Sequence, residues 1–163
     1  MDRLWAPWRL SYVTAAPAPA TECIFCDAYN GHKAELLLFR GRHCFVILNL
    51  YPYNNGHLMV VPNRHLCALE TLNPDEQAEM MTLARVSEMA LNEAYHPHGL
   101  NVGINLGKAA GAGIENHLHM HIVPRWSGDT NFMTAVGETR VLPEDLPATV
   151  RRLKPIFERL AQR

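Results

Sequence analysis

The chain has 163 residues, 48% of them hydrophobic and 19% charged, with a formal net charge of −1. These are the values of one ordinary globular domain, long enough to bury roughly 70% of the surface of its unfolded chain without disulfide staples. So small a net charge gives no steering toward nucleic acid or an anionic membrane. No run approaches the roughly 18 apolar residues of a membrane span, and any phosphate recognition must be local.

Residues 1–22 open with Trp5, Trp8 and Tyr12 and continue into the Pro/Ala-rich stretch Thr14–Glu22, which reads as an aromatic arm and a semi-rigid connector. The start lacks the apolar h-region of a secretory signal, so the cytoplasm is the expected location. Four cysteines are too few for a disulfide scaffold, so Cys23-Ile24-Phe25-Cys26 reads as metal or redox chemistry. Glu35–Phe39 and Cys44–Leu48 are short apolar runs around Arg40-Gly41-Arg42, the pattern of a hairpin. The Pro and Asn-Gly content of Tyr51–Gly56 predicts a turn, and His57–Val61 a third strand ended by Pro62. Asn73 is the expected N-cap of a helix with Pro74 as its first residue, carrying Met80, Leu83, Ala84, Val86, Ala90 and Leu91 at helical spacing. Pro97 and Gly99 should stop it. Leu100–Leu106 and His117–Val123 read as two more strands, joined through the small-residue loop Gly107–Gly113. A second helix is expected over Glu144–Ala161, with Pro147 in its first turn and a kink at Pro155. The expected class is α+β: an antiparallel sheet of about five strands with two main helices.

Asn116-His117-Leu118-His119-Met120-His121-Ile122-Val123-Pro124 is the strongest signal in the chain. On a strand, side chains alternate between faces, so the three histidines share one face, about 7 Å apart, while Leu118, Met120 and Ile122 pack inward. Three readings stand at this point: a solvated edge strand, a metal site, or nucleophilic catalysis at phosphorus. For the last, a neutral imidazole is the nucleophile, and its neighbours donate hydrogen bonds to phosphate and leaving oxygens. The glycines of the 107–113 loop would let backbone N–H groups approach a phosphate, although a plain connector has the same composition.

These residues resemble the histidine-triad superfamily of nucleotide hydrolases and transferases. The likeness extends over Phe45–Asn49, His57–Pro62 and Asn101–Gly107, and covers about residues 23–136, with 137–163 as a helical extension packed on the same domain. Val123-Pro124-Arg125-Trp126-Ser127-Gly128-Asp129-Thr130-Asn131-Phe132 and the Leu4–Arg9 arm are similar to the fragile-histidine-triad branch, closest to bacterial members described as diadenosine tetraphosphate phosphorylases. The resemblance implies His119 as nucleophile, oriented by a hydrogen bond from its other ring nitrogen to a backbone carbonyl. His121 would support phosphate and leaving group, and His57 would be a fourth, supporting histidine. Asn49 would contact the ribose, Ile47 and Met59 would line the base pocket, and Asn105 the phosphate chain. Ordinary core packing is the competing reading for Ile47 and Met59. Relatives often carry Gln or Ser about four residues before the triad. Here Ala112 and Gly113 supply no side-chain donor, which leaves phosphate contacts to backbone N–H groups and Lys108.

Cys23 and Cys26 supply two thiolates at zinc spacing. The resemblance implies His65 and His117 as the remaining ligands of a closed, structural Zn²⁺ site, which can contribute on the order of 10 kcal/mol to folding. A redox pair would need a βαβ context that the sequence lacks. Cys44 reads as core and Cys67 as a substitute ligand at most. His96 and His98 read as caps on helix carbonyls. The expected substrate is a diadenosine polyphosphate or an AMP derivative arriving with Mg²⁺, and the resemblance implies a homodimer, with no nucleic-acid or membrane partner. A nucleoside phosphoramidate or aminoacyl-adenylate hydrolase and a non-catalytic nucleotide-binding signalling module are the alternatives.

Overall fold

The computed structural model describes residues 23–32, 34–137 and 142–161, so the arm and connector expected over 1–22 lie outside the described residues. Five strands form one antiparallel sheet: β1 (Leu37–Arg40), β2 (Cys44–Leu48), β3 (Leu58–Pro62), β4 (Gly99–Ile104) and β5 (Met120–Arg125), in the order β1-β2-β3-β5-β4. The described helices are α1 (Ile24–Tyr29), α2 (Pro74–Tyr95), the short α3 (Phe132–Ala135) and α4 (Leu146–Leu160). The α+β class and the five antiparallel strands expected from the sequence are those of the structure.

Burial explains why β2 and β3 read as unbroken apolar runs: both are covered on both faces. Cys44, Val46, Leu48, Leu58 and Val60 point into the main core with Met80, Leu83, Leu91, Leu153 and Phe157 from α2 and α4. Phe45, Ile47, Met59 and Val61 point the other way, into a smaller cluster with Phe25 and Ala28 of α1. α2 starts in a full capping box, Asn73 accepting from the Glu76 amide while Glu76 accepts from the Asn73 amide, and stops where His96 turns left-handed at φ 46°. Asp145 caps α4, which continues through Pro155 without interruption.

Several boundaries differ from the sequence expectation. The run at Glu35–Phe39 opens as a 3-10 turn over Ala34–Leu36 and becomes a strand only at Leu37. The hairpin sets this register: Arg40 pairs with Phe45, Gly41 N–H donates to Cys44, and Glu79 of α2 accepts from the Arg42, His43 and Cys44 amides. β5 begins at Met120, not His117, because Leu118 N–H donates to the Leu66 carbonyl and the His117 ring bonds the Pro62 carbonyl. The histidine segment therefore enters the sheet through the loop after β3. His98 caps no helix carbonyl; its Nδ1 accepts from the Ser127 amide.

Candidate active site and metal centre

His57, His119 and His121 come together on the sheet face opposite α2. His121 projects from β5, while His57, expected to open the third strand, is the residue just before β3; Ile47, Met59, His121 and Gly103 form one row across β2, β3, β5 and β4. The His119 and His121 ring centroids lie 4.8 Å apart, edge to face. That is closer than the strand rise alone gives, since His119 precedes the strand and the rings lean together. Phe25 lies over His119 with centroids 5.0 Å apart, and the Tyr53 ring stacks over His121 at 5.9 Å.

Backbone partners fix the protons on these rings. The Tyr53 amide donates to His57 Nδ1 at 3.0 Å, so neutral His57 carries its proton on Nε2. His57 Nε2 is 2.9 Å from His121 Nδ1, so it donates there and leaves His121 with its own proton on Nε2. His119 Nδ1 lies 2.8 Å from the His117 carbonyl oxygen, which accepts from it and leaves the His119 Nε2 lone pair unprotonated. Burial pushes His57 down to about 3 and His121 to about 4, with neighbouring histidine charges adding to the effect. Burial also lowers His119. All three rings are neutral near pH 7, the state in which an imidazole is a nucleophile.

The same strand entry holds a second cluster. Cys23, Cys26, His65 and His117 each direct one ligand atom to a common point, all within 4.8 Å of one another. Cys23 Sγ lies 3.2 Å from His117 Nδ1, Cys26 Sγ 3.3 Å from His65 Nδ1, and Cys26 Sγ 3.7 Å from His117 Nδ1. Tetrahedral bonds of 2.0–2.3 Å give ligand separations of about 3.3–3.8 Å, so the set fits zinc. His117 Nε2 is committed to the Pro62 carbonyl at 2.9 Å, which leaves Nδ1 as a lone pair facing the thiols. Burial, then the hydrogen bond and charge of Cys23, push the Cys26 thiol up to about 11, an environment that favours a neutralising cation. Cys44 is buried in the main core, and exposed Cys67 is outside the cluster.

Other sequence candidates are placed differently. The Asn49 side chain accepts from the Tyr51 amide. Ile47 and Met59 are buried in the smaller cluster, next to His121 in the row. Asn105 reaches Gly111 O at 3.5 Å. The loop after β4 folds as a 3-10 turn over Lys108–Ala110, and the N–H groups of Ala110, Gly111 and Ala112 donate to Gly107 and Lys108 carbonyls. Ala112 is buried and its amide donates to the Gly107 carbonyl, so of the two backbone donors expected there only Gly113 lies outside the hydrogen bonds of that turn. Cavities of about 310 and 240 Å³ lie beside the Asn54–His57 turn, and neither is lined by His119 or His121. The space by the histidines is instead the open face at Gly103, where an added Cβ would meet nothing within 4 Å. Sequence reasoning passed over Gly103, Phe25 and the Tyr53 amide; a glycine on an apolar strand was the one legible sign among them.

A family model described as HIT domain matches residues 30–128. A Mycobacterium tuberculosis protein named AP-4-A phosphorylase is 41% identical over 165 residues, spanning 94% of this chain and 83% of that protein. A solved Zn-bound histidine triad family protein from Mycobacterium smegmatis is 29% identical with a TM-score of 0.72, covering 88% of this chain and 99% of that one. A hypothetical histidine triad nucleotide-binding protein from Sulfolobus tokodaii gives 26% and 0.68, covering 85% and 93%.

Proposed function

The chain belongs to the HIT-domain family, and from that premise we propose that it cleaves diadenosine polyphosphates, diadenosine tetraphosphate above all, through a nucleotidyl group carried on His119. The observation that supports this reading is the proton arrangement: a lone pair on His119 Nε2 beside a His121 whose remaining donor is Nε2–H. His119 Nε2 attacks the α-phosphorus, forming an N–P bond as the P–O bond to the leaving triphosphate breaks. His121 Nε2–H donates to the departing oxygen. Attack on the adenylyl-histidine by water then gives AMP, and attack by inorganic phosphate gives ADP, with ATP as the first product in both cases. The likeness to a phosphorylase favours phosphate as acceptor.

Cys23, Cys26, His65 and His117 would hold a structural Zn²⁺, which would tie α1 to the catalytic segment and add no step to the reaction. Mg²⁺ would accompany the polyphosphate. We place the dimer contact at the β4 edge, where Val102 is 54% exposed between the half-buried Leu100 and Ile104, so that two sheets join edge to edge. No described helix is long and apolar enough to cross a membrane, and the proposed location is the cytoplasm. The reading is tested by analysing products from diadenosine tetraphosphate and Mg²⁺, with and without phosphate, beside His119→Ala. ATP plus ADP appearing only with phosphate is expected. Equal products from wild type and His119→Ala would overturn it.

A further inference from the structure

The Asp129 carboxylate is 9% exposed at its side chain and receives five donors, the longest from the neighbouring Thr130 hydroxyl to Oδ1 at 3.4 Å. Arg125 Nε reaches Oδ2 at 2.6 Å and Nη2 reaches Oδ1 at 2.9 Å, the Trp126 amide reaches Oδ2 at 3.2 Å, and Asn54 Nδ2 reaches Oδ2 at 2.8 Å. Asn54 is buried too, and its second amide hydrogen goes to the Pro124 carbonyl at 3.0 Å, on β5 itself. Through its backbone, Asn54 closes the turn below the histidines by accepting from the His57 amide at 3.2 Å. Its neighbour Tyr53 supplies the amide that selects the His57 tautomer. A Cβ added to Gly56, at φ +74°, would meet Leu91 at 3.1 Å and Tyr95 at 3.2 Å, so α2 backs this turn closely.

We propose that Arg125, Asp129 and Asn54 form a clamp that positions the His57–His121 pair, holding the turn so that the Tyr53 amide stays aimed at His57 Nδ1. This rests on the proposed roles of His57 and His121. The two tautomers of a neutral imidazole lie close in energy, so one directed N–H is enough to choose between them. A hydrogen bond at 3.0 Å fails beyond about 3.5 Å, so a turn released by half an ångström or more loses the choice. Among the described residues, the hydrogen bonds of these three side chains go to one another, Pro124, Asn101, Trp126 and Thr130, and none to His119 or the row beside it; they are positioning residues acting through the turn. The Arg125 hydrogen bonds hold the Asp129 carboxyl well below the usual carboxylate range, so the clamp stays charged wherever the enzyme is folded.

The test uses the full chain and the variants Asn54→Ala, Asp129→Ala and Asp129→Asn. Long-range ¹H–¹⁵N spectra of the imidazoles report the tautomer of His57, assigned by the signal lost in His57→Gln. Steady-state kinetics with diadenosine tetraphosphate report kcat and KM, and thermal melting reports folding. Wild type should show a single Nε2–H tautomer at His57. Asn54→Ala and Asp129→Ala should show mixed tautomers, with kcat about tenfold lower and KM within about twofold. Asp129→Asn, which retains an oxygen acceptor for Asn54, should fall between and decides the matter if the alanine variants do not fold. Folded variants that keep the single tautomer would overturn the proposal. If wild type does not turn over the dinucleotide, the reaction assigned above fails, while the tautomer readout still decides the clamp.

Discussion

Replacing His57 by leucine removes a fully buried ring and both of its hydrogen bonds while keeping most of its volume. The Tyr53 amide and His121 Nδ1 lose their partners, and two orphaned polar groups at this partly buried site should cost about 2 kcal/mol together. For a chain of this length that lowers the melting temperature by about 4–8 °C, well short of unfolding. The larger effect is on rate. A positioned acid contributes about 10²–10⁴, and His121 would remain present but held only by its ring contacts with His119 and Tyr53. We therefore expect kcat for His57→Leu to fall about 10- to 100-fold with KM within about twofold. His57→Gln, whose amide can both accept and donate, should recover much of the loss. ATP release from diadenosine tetraphosphate measures both variants. A folded His57→Leu with kcat within about twofold of wild type would refute the role of His57 in orienting His121.

Stability should depend on pH in a definite direction. His57 and His121, pushed down to about 3 and about 4, stay neutral in the native state while the unfolded chain protonates them near about 6.5. Stability is therefore fully present above that pH and falls as pH drops, by up to about 2.7 kcal/mol per unit from the two together. A melting temperature flat from about pH 6.5 to 5 would contradict this. Elemental analysis of wild type should find about one zinc per chain, and Cys26→Ser should lose it and melt at least about 10 °C lower; a wild type without zinc, or unchanged zinc content or melting in the variant, would refute the site. Gly103→Val adds a side chain where nothing lies within 4 Å, on the row of His121. Stability should hold within about 1 kcal/mol while KM rises about tenfold or more; an unchanged KM would place the substrate elsewhere.

Some of this fold was written locally and could be read locally. The α2 start rests on side chains three residues apart, Asn73 and Glu76, and on the fixed φ of Pro74. The alternation of Leu118, Met120 and Ile122 against the histidines needed only the period of a strand, and all three apolar residues are buried. The details of the site depend instead on contacts far apart in sequence. His57 meets His121 across 64 positions and Asn54 meets Asp129 across 75. The element that sets the tautomer is a backbone amide, which every residue but proline has, so no side-chain pattern could single out Tyr53. The strand expected to begin at His117 begins at Met120 because of a carbonyl on Leu66, again invisible in the local pattern. The small-residue loop had the composition of a phosphate cradle, yet the Ala112 amide is taken by the Gly107 carbonyl. Its glycines permit several backbone paths and specify none of them.

The most direct measurement is a search for the covalent intermediate. Wild type and His119→Ala are mixed with diadenosine tetraphosphate and Mg²⁺ without phosphate, quenched within milliseconds in alkali, where a phosphoramidate survives, and weighed intact by mass spectrometry. A gain of one adenylyl group in wild type, absent from His119→Ala and located on the peptide bearing His119, is the predicted result. Turnover of the dinucleotide with no adduct at any quench time, or an adduct that persists in His119→Ala, would contradict the account.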